Sequence, residues 1–190
     1  MKISLVCPTN YYGASATRGI YYPMGVLLVG SLARDTMPSW EIDVVDGELY
    51  SRSELEEKLR GVDILGLSAN TNNYQNCIEL AKFAKSNGTK RVVIGGPHAS
   101  AVISHGERKI SMAELILRNQ SSVDAVIVND GEEPFLRYVI ESSKSNPNYE
   151  GIENLSWRGQ LGAIQRNPAK PPVQAPRFVD MDFSLMDFQR

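Results

Sequence analysis

Short apolar runs rich in branched residues alternate along this chain with stretches whose apolar positions recur at helical spacing. The runs are residues 3–7, 40–45, 63–68, 91–94 and 124–128, and their near-continuous hydrophobicity reads as strands buried on both faces. Between them lie the helical patterns. Pro23 opens the first where a missing N–H does least harm, and Val26, Leu27, Val29, Leu32 and Ala33 give it a wide apolar face. Gly25 and Gly30 are expected to let that helix approach a sheet closely. Ser53 and Glu56 stand at capping-box spacing before a second helix carrying Leu55, Leu59 and Val62. Tyr74, Cys77, Ile78, Ala81 and Ala84 mark a third, which Gly88 ends. Residues 105–109 read as a surface loop of no strong type, followed by a helical stretch from Met112 to Leu117. Asp130 and Glu133 repeat the capping-box spacing ahead of a last helix, whose Phe135, Leu136, Val139 and Ile140 face the core.

Strands that alternate with helices predict an α/β fold, because each parallel crossover needs a helix. The expectation is a doubly wound, flavodoxin-like parallel sheet of five strands in the order 2-1-3-4-5. After residue 145 the pattern changes. Residues 152–158 and 163–166 flank Gly159-Gln160-Leu161-Gly162 and read as a β-hairpin. Pro168, Pro171, Pro172 and Pro176 then make an extended linker. Residues 178–188 are apolar and polar by turns, with no partner evident in the sequence, as if more chain were meant to follow. The chain therefore divides into residues 1–145 and residues 146–190.

Composition excludes several classes. The 190 residues are 42% hydrophobic and 22% charged, with net charge -2 and dispersed basic residues. That is ordinary for a soluble globular protein and lacks the basic stripe of a nucleic-acid binder. No apolar run is long enough to span a membrane, and Met1-Lys2 leads straight into a strand, not a signal peptide, so a reduced, cytoplasmic setting is expected. Cys7, Cys77, His98 and His105 show no metal-ligand spacing. No metal ligand is assigned.

In an open α/β sheet, ligands sit at the carboxyl ends of the strands. Here those ends carry residues 9–22, Asp46-Gly47, residues 68–73, residues 95–100 and residues 129–132, a lining of hydroxyls, amides and glycines with few charges. It suits a large neutral ligand rich in amides, which Asn70, Asn72 and Asn73 can read. Gly95-Gly96 gives a floor without Cβ atoms, or else a tight strand-to-helix turn. No phosphate-binding glycine motif and no nucleophile elbow around Ser68 is present, so no catalytic residue is assigned. Glu132-Glu133 fits dipole stabilisation of a helix start better than acid–base work. Cys7 and Cys77 read as core thiols. Tyr11, Tyr12, Tyr21 and Tyr22 suit either a cover over a flat ligand or a protein–protein surface.

Four stretches, Tyr22-Pro23-Met24-Gly25-Val26-Leu27, Asp63-Ile64-Leu65-Gly66-Leu67-Ser68, Val93-Ile94-Gly95-Gly96-Pro97-His98 and Gly131-Glu132-Glu133, resemble the N-terminal cobalamin-binding domain of cobalamin-dependent radical SAM proteins. The resemblance covers about residues 1 to 145. Residues 151–158 and 180–187 resemble that family's hairpin and its linker into a radical SAM barrel. The resemblance implies cobalamin as cofactor, with Gly95-Gly96 against the corrin and its nucleotide tail and Pro97 and His98 in the cofactor-binding set; by itself His98 reads as a helix-opening or turn histidine rather than a cobalt ligand. It implies that Ser68, with Asn70 and Thr71 after it, meets the cofactor's lower side, that Asn72 joins the binding set, and that Pro23, Met24 and Gly25 lie beside the corrin. Thr9, Asn10 and Tyr22 from the first loop and Asn129, Gly131 and Glu132 from the last complete the implied set. It further implies that an iron–sulfur cluster and S-adenosylmethionine belong to a radical SAM domain beyond these residues, for methyl transfer or a radical rearrangement. Two departures stand out: residues 8–22 hold no histidine, so the D-x-H-x-x-G cobalt ligand is missing, and no C-x-x-x-C-x-x-C triplet occurs. Two other readings stay open. One is a ligand-free interaction module docking a protein through the tyrosine loop and residues 180–188; the other is a flavin-binding version of the fold.

Overall fold

The computed structural model describes residues 1–9, 22–106, 108–171 and 181–187. Its strands in chain order are β1 (Lys2–Cys7), β2 (Glu41–Asp46), β3 (Ile64–Ser68), β4 (Arg91–Gly95), β5 (Val102–His105), β6 (Arg108–Ser111), β7 (Ala125–Ile127), β8 (Leu155–Arg158) and β9 (Ile164–Arg166). The main sheet has seven strands in the order β2-β1-β3-β4-β7-β8-β9. The first five of these pair in parallel, as the sequence pattern predicts. The expected hairpin β8–β9 adds to the same sheet, β8 running antiparallel to β7.

Helices α1 (Met24–Thr36), α2 (Arg52–Lys58), α3 (Tyr74–Ser86), α4 (Pro97–Ser100), α5 (Met112–Asn119) and α6 (Glu132–Ser142) cover the two faces. One apolar layer joins Leu65, Leu67, Val92 and Ile94 of the sheet to Leu55, Ile78 and Ile116 of α2, α3 and α5. The other joins Leu5, Val44, Val93 and Ile127 to Leu27 of α1 and Phe135 and Val139 of α6. Burial on both faces explains why these strands are apolar throughout. Gly30 sits where α1 meets β2; a Cβ there would stand 2.8 Å from Val44 Cγ2.

Local signals hold in part. Helix α3 ends in a full Schellman motif: Gly88 (φ +91) donates to Lys85 O and Thr89 to Ala84 O. The capping box of α2 falls two residues earlier than expected, on Ser51 and Glu54, because Ser51 rather than Ser53 takes the extended backbone a cap requires. Pro23 occupies the N-cap of α1 rather than its first turn. The box expected at Asp130 and Glu133 does not form, since Gly131 is the N-cap of α6 and makes no side-chain bond.

Two larger differences concern segments without a clear period. Val102–His105 and Arg108–Ser111 pair as the antiparallel strands β5 and β6, with Gly106 at φ +61 after β5, instead of a plain loop. The closing segment does have an internal partner. Leu185 and Met186 are 5% and 7% exposed, and Met186 bridges Val44 on the edge of β2. Asp182 N donates to Ser31 Oγ at 2.7 Å, and Tyr50 OH to Asp187 Oδ2 at 3.2 Å. Burying Leu185 against the α1 surface near Gly30 recovers apolar area that the segment would otherwise expose. Those two side chains are not available for a separate docking partner. Among the described residues, no helix is long and apolar enough to cross a membrane.

Candidate functional site

Strand register brings Ser68 and Gly95 side by side at the carboxyl ends of β3 and β4. The two glycines after β4 do different jobs. Gly96 adopts φ +93, and a Cβ on it would lie 2.7 Å from Ala69 O. Ala69 N donates to Gly95 O and His98 N to Ala69 O, each at 2.9 Å, so the chain after β4 wraps tightly on the chain after β3. Among the described residues, a Cβ on Gly95 would meet only Ile127 O, at 3.7 Å. Gly96 therefore locks the turn, whereas Gly95 presents open floor.

The loop after β3 is braced from within. Asn73, fully buried, accepts from Asn70 N at 2.8 Å and donates to Pro8 O and Ser68 O at 3.0 and 3.1 Å. Asn70 Oδ1 accepts from the backbone N–H groups of Asn72 and Asn73. The amide of Asn73 is thus committed to the fold, whereas Asn70 Nδ2, Asn72 and Thr71, the last two exposed, and Ser68 are left uncommitted among the described residues. Ser68 Oγ makes no hydrogen bond among the described residues. His98 stacks on Tyr74 with ring centroids 4.3 Å apart and brings Nδ1 to 3.5 Å from Thr71 Oγ1. Its Nε2 is buried without a partner among the described residues. Burial holds the imidazole pKa below its ordinary value, which keeps the ring neutral at pH 7.

At the switch point, Thr9 is 3% exposed. It donates to Glu48 Oε1 at 2.8 Å, and its carbonyl accepts from Asn76 Nδ2 at 2.7 Å, so it anchors the first loop. Asn10, with Tyr11, Tyr12 and Tyr21, lies outside the described residues. Tyr22 is 51% exposed. Gly25 stands in the first turn of α1, and a Cβ on it would meet nothing within 4 Å among the described residues, so it does not press on the sheet as expected. Burial, with Asp46 and Glu48 nearby, pushes the Cys7 thiol up to about 11, and burial pushes Cys77 up as well. Cys77 is a core thiol and Cys7 a half-buried one packed against the core, both with little thiolate at neutral pH.

The last loop places Asn129, Gly131 and Glu132 beyond β7. Asn129 takes φ +58, donates from its N–H to Ser100 Oγ at 2.8 Å, and donates from Nδ2 to Lys170 O at 2.6 Å. Ser100 Oγ also lies 3.2 Å from Gly96 O, so one hydroxyl ties two ligand loops together. Sequence reasoning missed Ser100 in that role; its place four residues after Gly96, one helical turn on, was the available signal. Among the described residues no group of three or more His, Cys, Asp and Glu is placed to hold a metal ion.

A doubly wound sheet whose carboxyl edge offers open glycine floor, uncommitted hydroxyl and amide groups and a neutral ring defines a ligand-binding domain of the flavodoxin-like class. Residues 13–139 match the B12 binding domain, and the chain belongs to that family. No curated protein matches the chain.

Proposed function

We propose that this domain holds cobalamin across the carboxyl edge of its sheet and serves as the cofactor-carrying part of a radical SAM enzyme. The pairing of Ser68 with the uncovered Gly95 carries the reading, in a chain of the B12-binding family. Gly95 clears space for the macrocycle while Gly96, Pro97 and His98 shape the rim. Ser68, Asn70, Thr71 and Asn72 supply hydroxyl and amide partners for the cofactor's amide-rich periphery. Pro23, Met24 and Gly25 flank it at the start of α1, and Asn129, Gly131 and Glu132 close the side beyond β7. Thr9, Asn10 and Tyr22 belong to the loop that would cover it.

Cobalamin, when bound, supplies a cobalt that carries a methyl group or an electron. The residues of this chain bind and orient it, and residues 8–22 offer no histidine to the metal. The radical SAM part of the reading rests on the sequence resemblance of the four motifs and of residues 151–158 and 180–187. Its cluster and S-adenosylmethionine would sit in a further domain, since Cys7 and Cys77 are the only cysteines here.

Incubation with hydroxocobalamin followed by gel filtration tests the binding. Corrin absorbance is expected to co-elute with the protein, and its absence at saturating cofactor defeats the reading. A gene that continues past Arg190 without a C-x-x-x-C-x-x-C triplet defeats the radical SAM assignment and leaves cobalamin binding in place.

A further inference from the structure

We infer that Asn154, which lies outside the family-matched residues, is a positioning residue coupling the cofactor loop after β7 to the chain that leaves the β8–β9 hairpin. The inference rests on the cobalamin reading above. Asn154 stands just ahead of β8 at φ +63 and is 7% exposed. Its four polar groups divide between two segments. Toward the cofactor loop, its carbonyl accepts from Val128 N at 3.0 Å and its Nδ2 faces Asp130 O at 3.4 Å. Toward the departing chain, its N–H donates to Pro168 O at 3.0 Å and its Oδ1 accepts from Lys170 N at 2.7 Å.

Asn129 works the same junction from the other side, its Nδ2 donating to Lys170 O. Lys170 is therefore held at both its N–H and its carbonyl by two asparagines in left-handed backbone, one in the cofactor loop and one before the hairpin. Asn167 extends the grip by donating to Tyr149 O and Ile152 O at 2.7 and 2.9 Å. All these bonds reach main-chain atoms, so the path of the chain is read, not its side chains. The shape of residues 128–130 and the path of residues 168–170 are set together. A ligand that prefers one loop shape must then favour the gripped path, and holding that path must favour the ligand by the same factor.

Hydrogen exchange at the Lys170 amide reports the coupling directly. In the wild-type chain, hydroxocobalamin is expected to slow that exchange by about fivefold or more, as a bond stabilised through linkage should. Asn154→Gly suits the backbone angle but removes the side chain and its two hydrogen bonds; it should lower Tm by several degrees, bind hydroxocobalamin about tenfold more weakly and lose the cofactor-dependent protection. Asn154→Asp keeps an acceptor for Lys170 N and should restore part of the hydroxocobalamin affinity together with the cofactor-dependent part of the protection; a purely structural role would restore only protection that is the same with and without the corrin. Wild-type chain that binds the corrin with unchanged Lys170 exchange overturns the coupling alone, as does an Asn154→Gly variant with wild-type affinity and protection. If Asn154→Gly fails to fold, the wild-type exchange still decides. Wild-type chain that retains no corrin on gel filtration overturns the cofactor reading and this inference with it.

Discussion

At the amino ends of the parallel strands, carboxylates tie neighbouring elements together. Asp63 accepts from Lys2 N at 2.8 Å and Lys90 Nζ at 2.7 Å. Asp124 accepts from Val92 N at 2.7 Å and Lys85 Nζ at 3.0 Å, with Arg91 Nη1 at 3.8 Å. At the carboxyl ends the same strands finish in Ser68 and Gly95, with a hydroxyl left unbonded among the described residues and floor left open. The amino end commits these carboxylates to holding the strands together, whereas the carboxyl end commits Asn73, Thr9 and Ser100 to its loops but leaves Ser68 Oγ unbonded among the described residues. Because both ends belong to the same strands, stability and binding can be perturbed separately, and that separation is open to test.

Gly96→Val should have the largest effect. The side chain would need φ +93 and would press on the Ala69 carbonyl, so a loss of about 3 kcal/mol or more in urea unfolding is expected, with cofactor binding failing alongside the fold. Gly95→Leu, one residue away, should separate the two properties. Its Cβ meets little, so Tm should stay within a few degrees of wild type, while hydroxocobalamin affinity should fall about a hundredfold or more by steric exclusion. Equal loss of Tm in both variants would erase the distinction drawn between the glycines.

Asp124→Asn probes the opposite end. Its side chain is 16% exposed, and stripping its charge should cost about 2 kcal/mol in unfolding free energy while leaving cobalamin affinity unchanged. A drop in affinity would mean that the two ends are not independent. The smallest effect belongs to acid. The hydrogen bonds from Lys90 and from Lys2 N hold the Asp63 carboxyl below its ordinary range. The folded protein therefore binds fewer protons there than the unfolded chain, and the stabilisation is full above the unfolded value of about 4. It is lost as pH falls through the lowered folded value. Asp63→Asn should flatten that part of the acid-unfolding profile and leave the profile near pH 7 with the same slope.

Strongly periodic segments were legible residue by residue. The five buried strands, Leu55 on α2 and Leu59 at its C-cap, and Gly88 at the end of α3 all stand where hydrophobic spacing and turn chemistry place them. Capping was less legible, because Ser51 and Ser53 both suit an N-cap and only the path of the chain selects one. The pair β5–β6 escaped because Val102, Ile103 and Ile110, at 58%, 43% and 36% exposure, bury little and so leave no one-sided pattern. Residues 181–187 look unpartnered for the opposite reason. Their partners, Ser31, Val44 and Tyr50, are far away in sequence.

For the candidate site, residue types and order along the chain already marked the carboxyl edge, since parallel crossovers bring every strand-to-helix loop to one side. Which residue plays which part was a matter of packing. Gly95 and Gly96 are chemically identical, and only the approach of Ala69 makes one a lock and the other a floor. Asn73 and Asn72 are likewise the same amide, one consumed by Pro8 and Ser68 carbonyls and the other left exposed. Local sequence thus determines the strands, the helices and the side of the sheet where they open, because backbone period and turn preference are short-range properties. The assignment of individual polar groups to fold or to ligand is long-range, decided only when distant segments close on one another and use up their hydrogen bonds.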